Sequence, residues 1–147
     1  MLDDLEASLV SAFAKTSKML ISEATTRRLQ DVQRLMREYP APETTGAHVL
    51  VVPPGSLPHW VELRTPHRVG RDRELELCLR HPWVSTHHCT FRCDDDDWLV
   101  TDVNSRNGLR VNGEPVDHHY LKTGDMVQLG VHRLIFVRIE KAALPSQ

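Results

Sequence analysis

Residues 48 to 140 predict an antiparallel all-β unit, a sandwich or barrel, and residues 1 to 39 predict an amphipathic helical segment ahead of it. Three observations lead there. The first 39 residues contain no glycine and no proline and repeat apolar residues at helical spacing. A proline-rich stretch then breaks the pattern. After it, short β-prone runs alternate with turn residues.

Along residues 1 to 39, Leu2, Leu5, Leu9, Phe13, Leu20, Leu29, Val32, Met36 and Tyr39 recur mostly three or four apart, one face of a helix. Asp3, Asp4 and Glu6 lie in the first turns and Arg34 and Arg37 in the last, the order that suits a helix dipole. Ser22-Glu23-Ala24-Thr25-Thr26 is a weaker helix former and allows a break into two helices. A lone amphipathic helix has no core to cover its apolar stripe. The expectation is therefore contact with another chain, with packing on the chain's own β unit as the alternative. Residues 40 to 47, with Pro40, Pro42 and Gly46, read as a linker, and residues 141 to 147 as a tail.

The β runs are His48–Val52, Trp60–Arg64, Cys89–Cys93, Trp98–Thr101, Met126–Leu129 and Leu134–Val137. Between them stand Asp94 to Asp97, Asn107-Gly108, Asn112-Gly113 and Gly124-Asp125. The four-aspartate run reads as a solvated hairpin tip. It lacks the alternating ligands and terminal Glu of an EF-type calcium loop.

With 147 residues, 26% charged residues and a net charge of -2, the chain reads as a soluble protein with no basic field for nucleic acid or membrane. No apolar run spans a bilayer and the start lacks a signal peptide, so the expected compartment is the cytoplasm. Cys78, Cys89 and Cys93 are expected as reduced thiols. Cys89 and Cys93 next to His87 and His88 invite a zinc reading, but no second close-spaced pair completes a tetrahedral set. The alternation Cys89, Phe91, Cys93 suggests one buried face instead. No cofactor is expected.

Five pieces fall in order: Gly70-Arg71, Ser85-Thr86-His87-His88, Asp102 through Gly108, Asn112-Gly113 and Gly124-Asp125. Together they resemble the forkhead-associated (FHA) domain over about residues 48 to 140. The resemblance implies a β-sandwich of about eleven strands whose loops at one end bind phosphothreonine peptides, and so a partner in a Ser/Thr kinase pathway. Arg71 offers a planar fork of donors to a phosphate, and Ser85 a neutral hydroxyl. Thr86 adds a second hydroxyl or its backbone N–H. Asn107 has an amide that donates and accepts, which suits a peptide backbone. The family counterpart of His88 braces the serine loop. Gly70, Gly108 and Gly113 read as turn glycines at positive φ. Asn107-Gly108 also fits a plain type I′ turn.

The chain departs from the family pattern at three places. Thr86 stands where Arg, Lys or Asn is common, Arg106 where Thr is common, and Leu109 where Thr often follows. The phosphate thus loses a donor at 86 and gains a cation at 106. Ser85, His88 and Asp102 could be written as a catalytic triad, but Ser85 lacks a nucleophile-elbow context, so an adaptor is expected rather than an enzyme. The competing reading is a phosphate-independent structural or oligomerisation unit. Thr44 and Thr45 follow Glu43 in the linker and could become a phosphorylated ligand for this domain class. The short reach from Thr45 to His48 favours binding between chains.

Overall fold

The computed structural model describes residues 22 to 140. The expected helical stretch over residues 1 to 21 and the tail over 141 to 147 lie outside the described residues. Helix α1 runs Glu23–Glu38. The weak helix formers around Ser22 are its start: Ser22 is the N-cap, and its Oγ accepts from Thr25 N at 3.1 Å. The helix ends at Tyr39, whose N–H still reaches Leu35 O at 2.8 Å. Pro40 follows and disfavours the helical region at Tyr39.

Eleven strands follow: β1 Gly46–Val52, β2 His59–Glu62, β3 His67–Gly70, β4 Leu77–Cys78, β5 Cys89–Asp94, β6 Asp97–Asp102, β7 Leu109–Val111, β8 Glu114–Val116, β9 His118–Tyr120, β10 Met126–Leu129 and β11 His132–Ile139. They form a six-stranded sheet, β2-β1-β11-β10-β7-β8, and a five-stranded sheet, β4-β3-β5-β6-β9. One pairing departs from the antiparallel expectation: β4 runs parallel to β3, Val69 facing Leu77. A two-residue strand after a loop can pair this way because it needs no hairpin.

The strand pleat splits β1 between two cores. Ala47, Val49 and Val51 face the other sheet and pack with Phe91, Val100 and Phe136. Leu50 and Val52 face outward and pack with Val32, Leu35 and Met36 of α1. The apolar stripe expected to seek another chain is thus covered, along residues 23 to 38, by the chain's own six-stranded sheet. Trp60 Nε1 donates to Tyr39 O at 3.2 Å and ties the helix end to β2. Asp95 and Asp96, at φ 48 and 70, make the exposed tip of the β5–β6 hairpin. Cys89 and Phe91 are buried in the inter-sheet core, while Cys93 is only half-buried. Burial pushes the Cys89 thiol up and keeps it protonated. Among the described residues no helix is long and apolar enough to cross a membrane.

Candidate functional site

Three loops meet at the end of the sandwich where β3 finishes and β7 begins. The first follows β3 and carries Arg71. The second joins β4 to β5 and carries Trp83, Ser85, Thr86 and His88. The third joins β6 to β7 and carries Arg106 and Asn107.

The first two loops are laced by backbone. Arg71 N donates to Ser85 O at 3.0 Å, and Asp72 N to Thr86 O at 3.2 Å. Gly70 makes this possible, though not as expected. It lies in β3 and is not among the positive-φ residues. A Cβ there would stand 2.2 Å from the Thr86 carbonyl oxygen, so only glycine admits the second loop. Gly108, at φ +80, and Gly113, at φ +85, do occupy the left-handed region.

His88 fastens the second loop to the third. It is fully buried; its Nδ1 accepts from Ser85 N at 3.0 Å and its Nε2 donates to Gly108 O at 2.7 Å. Both ring nitrogens are spent on backbone, so Ser85, His88 and Asp102 do not assemble as a triad. Asp102 is engaged elsewhere: Ser105 Oγ donates to Asp102 Oδ1, and Ser105 N to Oδ2 at 3.2 Å. Ser105 Oγ in turn accepts from Gly108 N at 3.0 Å. The Asp102–Ser105 brace shapes the third loop. Its only trace in the sequence is an Asp-x-x-Ser spacing typical of local side-chain-to-backbone capping.

The functional side chains project from this frame. Ser85 Oγ accepts from Arg106 N at 2.9 Å, which leaves the hydroxyl proton free to donate outward. Arg71 is exposed, with Nη2 3.5 Å from Thr86 Oγ1. The Arg106 side chain is exposed next to Ser85. Asn107 donates one amide hydrogen to Trp83 O at 2.8 Å, keeping its Oδ1 and second N–H for another partner. Asn107 is not a hairpin residue; the Asn-Gly pair that forms a two-residue turn with both φ positive is Asn112-Gly113, at 53 and 85. A cavity of about 420 Å³ opens beside Asn107, lined by Trp83, Arg110, Gln128 and Gly130.

Two of the motif pieces lie away from this end. Asn112 Nδ2 donates to Asp125 Oδ1 at 2.9 Å and Asn112 Oδ1 accepts from Met126 N at 2.9 Å, joining the β7–β8 turn to β10. They hold the scaffold rather than the loops. Near Arg71, Arg68 donates to Glu76 through Nε and Nη2 at 2.8 and 2.7 Å, clamping β3 to the segment before β4. The Arg68 guanidinium holds the Glu76 carboxyl down at about 2.

Comparison with known proteins agrees with this frame. Residues 67 to 130 match the FHA domain family. The chain is 37% identical over 99 residues to the oxoglutarate dehydrogenase inhibitor of Corynebacterium diphtheriae, covering 66% of this chain and 69% of that protein. It is 43% identical over 68 residues to the glycogen accumulation regulator GarA of Mycobacterium tuberculosis. That match covers 46% of this chain and 42% of GarA, so the likeness spans under half of that relative. Among solved structures, an FHA domain studied for its phosphothreonine-dependent interactions superposes at a TM-score of 0.58 with 29% identity, over 63% of this chain and 96% of that one. The chain belongs to the FHA domain family.

Proposed function

We infer that this chain is a phosphothreonine-dependent protein-protein interaction module and acts as a regulatory adaptor, not as an enzyme. One observation carries the reading. Three loops present, on one surface, an exposed guanidinium from Arg71, a Ser85 hydroxyl whose oxygen is already occupied, and an Asn107 amide with a free acceptor. A phosphothreonine needs that set. Its phosphate carries roughly -1.5 to -2 charges and three acceptor oxygens, and the peptide backbone beside it offers one donor and one acceptor per residue. Arg71 and Ser85 take the phosphate, with Thr86 at its edge and Arg106 as an added cation. Asn107 takes the backbone. Gly70, His88 and Gly108 hold the loops in place.

The partner class is a phosphothreonine-bearing protein of a Ser/Thr kinase pathway, met in the cytoplasm. The test is a titration with a degenerate phosphothreonine peptide pool and its unphosphorylated twin. Binding of the phosphorylated pool alone supports the reading. Equal binding of both pools would favour the phosphate-independent structural unit.

Self-association through residues 1 to 39 would have to use side chains other than Val32, Leu35 and Met36, which α1 buries on its own sheet. Light scattering on the full chain tests it; a monomer at all concentrations rejects it. Thr44 and Thr45 are exposed just before Gly46, which pairs with Ile139. β1 separates them from the loop end by seven residues, about 20 Å. A phosphate on either threonine would therefore be read by another copy. Phosphorylated chain that stays as unassociated as unmodified chain rejects that extension.

A further inference from the structure

The cavity beside Asn107 has a neighbour on the outer face of the six-stranded sheet. The second, about 310 Å³, lies between α1 and the six-stranded sheet and is lined by Arg27, Arg28, Asp31 and Arg133 among others. Gln128 lines both. The strand register explains why the two adjoin. Arg110 of β7 faces Gln128 of β10, and Gln128 faces Arg133 of β11. Residues directly opposed in antiparallel strands share a face. Neighbouring strands lie about 4.8 Å apart, so Arg110 and Arg133 stand about 10 Å apart on the outer face. Across from them, Arg27 and Arg28 lie one helical turn on from Ala24, on the face that meets the sheet.

Four arginines therefore border a trough made of two adjoining cavities, Arg110 in the first and Arg27, Arg28 and Arg133 in the second, in a chain whose net charge is -2. Two have backbone partners: Arg28 Nη1 donates to Asn112 O at 2.7 Å, and Arg110 Nη1 to Gly113 O at 3.1 Å. Each anchors one nitrogen and keeps further donors. Among the described residues, no carboxylate pairs with Arg27 or Arg133. Asp31, which also lines the trough, lies 3.4 Å from Arg34 and is drawn toward it.

We propose that this trough binds an acidic stretch of the same partner that presents the phosphothreonine, four or more residues away along its chain. The inference rests on the phosphothreonine reading. An extended peptide advances about 3.3 Å per residue, so about three residues cross from Arg110 to Arg133. Glutamate or aspartate side chains on that path meet guanidinium forks suited to carboxylates. Phosphate-loop contacts then choose the modified threonine, and the trough chooses among partners that carry one.

The test uses the full chain and three phosphothreonine peptides: one with a neutral Gly-Ser extension, one with a glutamate run on the C-terminal side, and one with it on the N-terminal side. One acidic peptide is expected to bind about threefold to tenfold tighter than the neutral one, the scale of a few partly exposed ion pairs. That gain should vanish in an Arg27→Gln/Arg133→Gln variant and at high salt, where screening is strong. The neutral peptide should bind wild type and variant alike, which also shows the variant is folded. No gain from either acidic peptide overturns the proposal, as does a gain that survives the double substitution. An oligonucleotide that displaces the acidic peptide but not the neutral one from wild type, while neither acidic peptide outbinds the neutral one, assigns the trough to nucleic acid and overturns it too. A wild-type chain that binds none of the three peptides overturns the phosphothreonine reading itself.

Discussion

The helix-covered face and the loop end of the sandwich are built from opposite materials. Under α1, Val32, Leu35, Met36, Leu50, Val52, Ile135 and Val137 meet as apolar side chains with no polar partners to satisfy. At the loop end, Ser85, His88, Ser105 and Gly108 meet through hydrogen bonds to backbone, Gly70 leaves room for the second loop, and Arg71, Arg106 and Asn107 are left exposed. Apolar packing is non-directional and scales with area. Hydrogen bonds fix direction and add little net energy. The difference teaches that stability and recognition are held by separate sets of residues, so substitutions should separate them.

The largest expected effect is on the helix side. Leu35→Ala should cost about 2–5 kcal/mol of stability, the range for a buried leucine, and leave peptide affinity unchanged in the folded fraction. Chemical denaturation paired with peptide titration checks both halves. A loss of affinity in Leu35→Ala would break the separation. Gly70→Ala probes the boundary between the regions. Its Cβ would push on the Thr86 carbonyl, so the second loop must shift. Overpacking of this kind costs about 1–3 kcal/mol, and this variant should lose affinity as well as stability. If it binds peptide like wild type, Gly70 does not set the loop position.

Smaller effects sharpen the loop end alone. Phosphothreonine should outbind phosphoserine in a matched peptide by about fourfold, since burying one methyl is worth about 0.8 kcal/mol. Equal affinities would mean the methyl stays in solvent. The smallest effect concerns pH. Glu76 titrates at about 2 in the fold, against 4.5 as its ordinary value. A lowered carboxylate stabilises the fold above the unfolded value, and that contribution is lost as pH falls from about 4.5 toward 2. Arg68 and Glu76 are partly solvated, so the slope should be shallow. Glu76→Gln should flatten it in denaturation midpoints taken from pH 5 to 2, and an unchanged slope would remove the clamp from the account.

Long runs were legible in the sequence and short ones were not. The stretches around Val49 to Val52 and Leu134 to Val137 show as strands because their apolar content is high. Their lack of alternation also signals burial on both faces. Nothing in those runs names the cover; α1 supplies it through Val32, Leu35 and Met36. β3, β4, β7, β8 and β9 have two to four residues each, too few for a period of two to appear. β3, β4, β7 and β9 exist because longer neighbours offer edges to pair with, and β8 because the Asn112-Gly113 turn folds it back on β7. At the site, Arg71, Ser85, His88 and Asn107 stood out through their order in the chain. The reason for Gly70 did not, because a close approach by a residue 16 positions later leaves no local trace. The Asp102–Ser105 brace was hidden for the converse reason: its residues looked like ordinary turn chemistry.

Arg71→Ala tests the central claim most directly. Titration calorimetry with one phosphothreonine peptide should show affinity lowered by about 10- to 150-fold, the 1.5–3 kcal/mol of hydrogen bonds to a charged group. Thermal melting of the same sample should match wild type, because the Arg71 side chain is exposed and contributes no packing to the core. Undiminished binding by a folded Arg71→Ala protein would contradict the account.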